Sequence, residues 1–126
     1  MNPVLEIEAE SGVVEQGTQS GHLENARGRI YRDGVLRARF SARSVDADMA
    51  AQRVFARNNV VVESAAPEGL TLRAREVEWL AQKNRIVAMG DVMFVQKDRE
   101  TGRVVAEGGP FDRITVDTSL QRLTIP

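Results

Sequence analysis

Two pairs of carboxylates, Asp46 with Asp48 and Glu76 with Glu78, have the spacing that most resembles a chemical site. In an extended strand, residues two positions apart lie on the same face, so each pair presents its carboxylates together. A hard cation such as calcium requires several oxygens that converge from a loop. We therefore expect these side chains to form cross-strand ion pairs rather than to bind a metal. The arginines expected to pair with them are Arg37, Arg39, Arg73 and Arg75.

The chain has no constellation that is typical of an enzyme. His22 is its single histidine and lies in a polar stretch without clear periodicity, whereas a general base requires an oriented partner. There is no cysteine, and no serine lies in a strand–turn–helix elbow. Gly108-Gly109-Pro110 lacks the following helix that a phosphate cradle requires. We expect a surface loop position for His22, no catalytic activity and no cofactor.

Length and charge restrict the remaining functions. At 126 residues the chain is long enough for one domain with a single core. Its net charge of −1 argues against a sequence-independent nucleic-acid interaction, which requires a concentrated positive patch. No apolar run approaches the roughly 20 residues that span a bilayer, and no cleavable export signal is visible. The pattern fits either a cytosolic protein or a form without its export segment.

A bent strand is the main structural element. From Val35 to Ala42 apolar residues occupy every second position, which is typical of a strand with one buried face. After Ala42 the apolar positions change parity and continue at Val45. A change of parity requires one extra residue in the strand, as a β-bulge supplies. The pattern therefore predicts a strand that bends shortly after Ala42.

The bent strand occurs again 32 positions later, where the parity changes between Ala74 and Val77. Asn58-Asn59 in the first copy corresponds to Gly90-Asp91 in the second, and these residue types tolerate a left-handed backbone. Each copy is thus predicted to contain a bulged strand, a turn and a kinked strand. The repeat indicates a fold built from one supersecondary unit.

Gly108-Gly109-Pro110 is predicted to interrupt the strand pattern, and a weaker third copy of the unit is predicted to follow from Phe111 to Ile125. The strand from Val87 to Val95 is apolar on both faces and is predicted to be the most buried. Ser11 to Gly21 is rich in small polar residues and is predicted to be a loop. Residues 1–22 are thus a poorly patterned segment or edge strand, and 23–126 form the single domain.

No segment has a convincing helical pattern. Roughly eight to ten short strands at this spacing are typical of an all-β sandwich or roll, with a short β-solenoid as the alternative. Apolar side chains recur on one face of the bent strands, and they either pack as a core or line an open groove for an elongated apolar ligand. The candidate groove residues are Leu36, Phe40, Val45, Val54, Val60, Leu72, Val77, Trp79, Ile86, Val92, Phe94 and Ile114.

Three segments resemble the LptC and LptA (OstA-like) family. Asp33 to Ala42 (DGVLRARFSA) resembles the strand-and-alanine opening of LptC-type proteins, and Leu70 to Val77 (LTLRAREV) resembles their second such segment. Ile86 to Val92 (IVAMGDV) is similar to a signature that LptC and LptA share, with Asp91 where the family has asparagine. The resemblance extends over residues 29–125.

The resemblance implies a twisted open β-jellyroll of two antiparallel sheets whose apolar interior carries the acyl chains of lipid A. It also implies a periplasmic location, with an inner-membrane anchor in LptC-type members, and head-to-tail joining of edge strands with bridge proteins or with further copies. The lipopolysaccharide-carrier hypothesis therefore ranks first. Two alternatives are a β-sandwich that binds glycans and a structural module that polymerises through its edges.

Overall fold

The computed structural model describes residues 4–15, 20–48, 50–65, 69–98, 100–117 and 123–124. Eight antiparallel strands form one sheet in chain order, so that each strand pairs with the next. Their bounds are β1 Val4–Glu15, β2 Ser20–Arg32, β3 Val35–Asp48, β4 Arg53–Ser64, β5 Leu70–Leu80, β6 Arg85–Lys97, β7 Val104–Asp117 and β8 Leu123–Thr124, with one short 3-10 turn at Ala81–Lys83.

A line of bulges crosses the sheet near the middle of each long strand. The register shifts lie between Ser41 and Ser44 in β3, and at the same level in the neighbouring strands: Arg57/Val60, Arg73/Glu76 and Met89/Val92. A bulge bends its strand and increases the local twist. Because successive strands bend at one level, the sheet folds there into two layers. The predicted parity changes after Ala42 and Ala74 are therefore confirmed as bends.

We call the two halves the first and second layers. The first layer contains residues 4–9, 26–32, 35–42, 60–64, 70–74, 92–97 and 104–111, and the second contains 11–15, 20–24, 44–48, 53–57, 76–80, 85–89 and 113–117. The turn at 33–34 ends the first layer, as do the ends of β4 at Ser64 and of β6 at Lys97, whereas the turn at 81–84 ends the second. The turns thus lie at the free ends of the layers, away from the fold line, and we call these free ends the rim.

Left-handed residues form the kinks that the repeat predicts. Asn58 and Asn59 have φ values of 67° and 56°, and Gly90 and Asp91 have values of 81° and 50°. A Cβ atom added at Gly90 would lie 3.1 Å from the Cβ of Arg75, so glycine serves both the backbone conformation and the close approach of β5. The predicted equivalence of these two dipeptides is confirmed.

One hydrophobic core lies between the layers. Its buried members come from both sides of the fold line: Ala26, Ile30, Ala38, Phe40, Ala42, Val45, Ala47, Val54, Ala56, Val60, Val62, Leu70, Leu72, Ala74, Val77, Trp79, Ile86, Ala88, Val92, Ile114 and Val116. The Phe40 ring covers Gly28 on the neighbouring strand, where an added Cβ would lie 2.1 Å from the ring. At roughly 1.5–3 kcal/mol for each large side chain, this burial is the main force that holds the layers together.

One predicted feature of the N-terminal half differs from the structure. Residues 11–15 and 20–21 are not a loop, because β1 extends to Glu15 and β2 begins at Ser20. The backbone pairing with β2 makes this segment a strand, and as an edge strand it exposes Val13 at 70%. Exposed edge positions carry no apolar alternation, which explains why periodicity did not detect the strand.

Two predictions for the C-terminal half are also wrong. β7 runs without a break through Gly108-Gly109-Pro110, because the register shift opposite Met93 accommodates the proline at a bulge. The segment from Val87 to Val95 is not buried on both faces, since Met93 is 46% exposed. A folded single sheet has only one inward face, so the outward apolar residues of β6 are half-buried or, like Met93, exposed.

Candidate functional site

The apolar interior between the layers contains most of the predicted groove residues. Ten of the twelve are buried in the shared core: Phe40, Val45, Val54, Val60, Leu72, Val77, Trp79, Ile86, Val92 and Ile114. Leu36 and Phe94 are half-buried. The period-two pattern placed these residues on one face, and the bends turn that face inward in both layers.

A narrow cavity marks the place where the two layers meet. Its lining comes from both layers: Ile30, Phe40, Val54, Ala56, Val60, Val62, Val77, Trp79 and Ile86. About 20 Å³ of free space remains there, which is room for about one water molecule. An acyl chain therefore fits only if the layers move apart.

Three lining residues were absent from the predicted set, namely Ile30, Ala56 and Val62. Ala56 and Val62 share the apolar face of β4 with Val54 and Val60, so the alternation by itself could have included them. Ile30 was not identified, because only the fold of the sheet brings β2 against β5 and β6.

Stacked aromatic rings extend the apolar interior toward the C-terminal edge. The ring centroids of Phe94 and Phe111 are 6.1 Å apart, and the planes differ by 14°. Both side chains pack against the core while remaining half-buried. An added Cβ at Gly108 would lie 2.9 Å from the Phe94 ring, so this glycine leaves the space that the stack occupies. The apolar face thus continues from β2 to β7.

The outer face of the second layer carries a polar network around His22. Its Nδ1 lies 2.7 Å from Asp46 Oδ1 and its Nε2 lies 2.5 Å from Glu24 Oε1. Ser44 Oγ donates a hydrogen bond of 3.3 Å to Glu24 Oε2, and Arg57 forms an ion pair with Asp46. His22 is thus an exposed strand residue between two carboxylates, rather than the predicted loop residue.

These contacts shift two pKa values. The hydrogen bond to Asp46, followed by that to Glu24, raises the pKa of His22. The hydrogen bond with His22 lowers the pKa of Asp46, and Arg57 adds to this effect. The network is exposed to solvent, and its two carboxylates already have partners: Asp46 pairs with Arg57, and Glu24 contacts His22 and Ser44.

Among the described residues, no group of three or more His, Cys, Asp or Glu side chains has an arrangement that could hold a metal ion. Asp46 pairs with Arg57, and Glu78 pairs with Arg53. Cross-strand pairing is as predicted, but the partners differ. Three of the predicted partners lie in the first layer, across the fold line from Asp46 and Glu78, namely Arg37, Arg39 and Arg73. The fourth, Arg75, lies at the bend and pairs with Asp91.

Both edges of the sheet are open along much of their length. β8 covers only Thr115 and Val116 of β7, so within the described residues the rest of β7 has no outer neighbour. Val104 and Val105 are 50% and 61% exposed there. β1 forms the opposite edge, since it pairs only with β2. Unpaired strand edges are sites where another chain can add a strand.

In the part of the chain that the structure describes, no helix has the length and apolar character needed to cross a membrane.

Comparison with known proteins supports the fold. No protein-family model matches the chain, and no curated protein matches it. Among solved structures, it is similar to LptH, the LptA-homologous periplasmic component of the conserved lipopolysaccharide transport device of Pseudomonas aeruginosa. The TM-score is 0.71 at 13% sequence identity, and the match covers 97% of this chain and 81% of that one. The similarity confirms the predicted all-β jellyroll, whose two layers are halves of a single folded sheet.

Proposed function

We propose that this chain is a periplasmic carrier module for lipopolysaccharide or a related amphiphilic lipid. The observation that carries the proposal is the apolar face that lines both layers of an open, folded sheet. The fold shared with LptH and the three family-like segments support the same function. In this proposal the protein binds and releases its ligand without catalysing a reaction, and it uses no cofactor.

Acyl chains bind in the interior between Phe40, Trp79 and Phe94. Each methylene group removed from water contributes about 0.8 kcal/mol, so a few acyl chains provide enough free energy to separate packed layers. The headgroup stays at the rim, where the turns are polar. The interior is nearly filled without ligand, so binding replaces contacts between side chains with contacts to acyl chains.

The proposed partners of the module are neighbouring bridge proteins or further copies, joined through the strand edges. The open edge of β7 and the edge strand β1 lie at opposite ends of the sheet. Strand addition at both ends would continue the sheet and its apolar interior from one molecule into the next. In this arrangement a lipid moves along a continuous interior from one molecule to the next.

Site-specific photo-crosslinking tests the carrier function. A photoreactive residue replaces Phe40, Trp79 or Phe94 one at a time, and the matched control replaces the exposed Arg73. We expect lipopolysaccharide to label the three interior positions and not position 73. If the folded variants show no labelling at any interior position, or equal labelling at all four, the carrier function is wrong.

The open edges specifically favour one second candidate, a structural module that polymerises without lipid. It predicts concentration-dependent oligomers that are unchanged by added lipid, as light scattering would show.

A glycan-binding module is less well supported, because Phe40 and Trp79 are buried rather than exposed for stacking on sugars. Glycan binding that is lost on substitution of the half-buried Phe55 would reverse this ranking.

A further inference from the structure

One hydrogen bond joins the two layers at the rim. Arg32 Nη1 donates to Asn84 Oδ1 at a distance of 2.7 Å. Arg32 is the last residue of β2 in the first layer, and Asn84 lies in the turn before β6 in the second. Three strands separate the two residues within the sheet. The bond therefore crosses from layer to layer and is not part of the strand pairing.

The bond lies directly outside the apolar cavity. Ile30, two residues before Arg32, and Ile86, two residues after Asn84, both line that cavity. Both bonded side chains are half-buried, so the bond is partly shielded from competing water. The bond therefore spans the two layers next to the residues that line the cavity.

The local backbone supports the position of the amide. Asn84 has a φ value of 51°, a left-handed conformation that asparagine adopts more readily than most residues. The conformation ends the 3-10 turn at Ala81–Lys83 and leads directly into β6. Asn84 is therefore held by the turn, while Arg32 is a long side chain that can swing away.

We propose that the Arg32–Asn84 hydrogen bond is a latch that controls access of acyl chains to the interior. This inference rests on the proposed carrier function and adds the place where the ligand passes. The closed latch holds the layers together, and its opening lets them separate. The guanidinium that is freed from Asn84 is then available to an anionic headgroup at the rim.

Variants that change this bond in opposite directions test the latch. Arg32→Gln and Asn84→Gly each remove the charge-assisted bond, and glycine keeps the left-handed backbone without strain. Asn84→Asp converts the bond to an ion pair and strengthens it. Arg27→Gln is the matched control, since Arg27 is an exposed residue of the same strand. Chemical denaturation confirms that each variant is folded.

Two readouts separate the latch from the carrier function. Acrylamide quenching of Trp79, the only tryptophan, reports opening of the cavity without any ligand. The association rate of the apolar dye Nile red reports uptake. We expect Arg32→Gln and Asn84→Gly to increase quenching and to raise the association rate about tenfold, as loss of a charged hydrogen bond implies. Asn84→Asp should lower both the quenching and the association rate, and Arg27→Gln should change neither. The double variant Arg32→Gln/Asn84→Gly should show no greater quenching or rate than either single variant, because both substitutions remove the same bond.

The two possible failures differ. If quenching and uptake are the same in all variants, the latch is wrong while the carrier function stands. If quenching follows the latch variants but none of them binds Nile red, the interior admits no ligand. That result overturns both the access role of the latch and the carrier function.

Discussion

At the scale of single residues, the protonation of His22 makes the stability of the fold depend on pH. Its pKa is raised from the usual value of 6.5, first by the hydrogen bond with Asp46 and then by that with Glu24. Because the pKa is higher in the folded state than in the unfolded state, protonation of His22 stabilises the fold below pH 6.5. This contribution is lost as the pH rises through the pKa of the folded state. Wild-type stability should therefore fall slightly above pH 6.5 relative to His22→Gln. Urea denaturation across this range measures the difference, and parallel curves would contradict it.

Bends determine the shape of the molecule at the scale of strands. Gly90 has a φ of 81°, and a Cβ atom added there would lie 3.1 Å from the Cβ of Arg75. Gly90→Ala should therefore lower the free energy of unfolding by about 1–2 kcal/mol. Gly102→Ala is the control, because Gly102 has a φ of 70° with nothing nearby and carries the backbone cost alone. Urea denaturation of both variants makes the comparison. A smaller loss for Gly90→Ala than for Gly102→Ala would show that the kink is not restricted by β5.

The open edges govern assembly at the scale of the whole molecule. Val105 is 61% exposed on β7, and a lysine on an edge strand opposes the addition of another strand. Val105→Lys should therefore reduce concentration-dependent self-association in sedimentation velocity experiments. Val35→Lys is the control, since Val35 is 50% exposed but lies beside the turn between β2 and β3. Equal association of the two variants would exclude the β7 edge as the contact.

Alternation and residue type by themselves indicate the bends and kinks of strands β3 to β6. The parity changes after Ala42 and Ala74 located two bends, and the left-handed tolerance of Asn58-Asn59 and Gly90-Asp91 located the kinks. Such features are local, because they depend on the side-chain period and backbone conformation of a single strand. The same alternation identified ten of the buried interior residues. β1 continues to Glu15, where a loop was predicted from Ser11, because an exposed strand has no apolar period to detect.

Contacts between residues distant in sequence were decided only by the tertiary structure. A strand pattern shows which side faces inward, but it does not show which strands lie across the interior. The fold of the sheet places Ile30 against Trp79 and Ile86, joins Arg32 to Asn84, and turns Arg57 rather than Arg37 toward Asp46. It also leaves only about 20 Å³ of free space in the cavity that both layers line. The physical reason is that the bulges act together, so the position of each layer depends on the bends of all the strands at once.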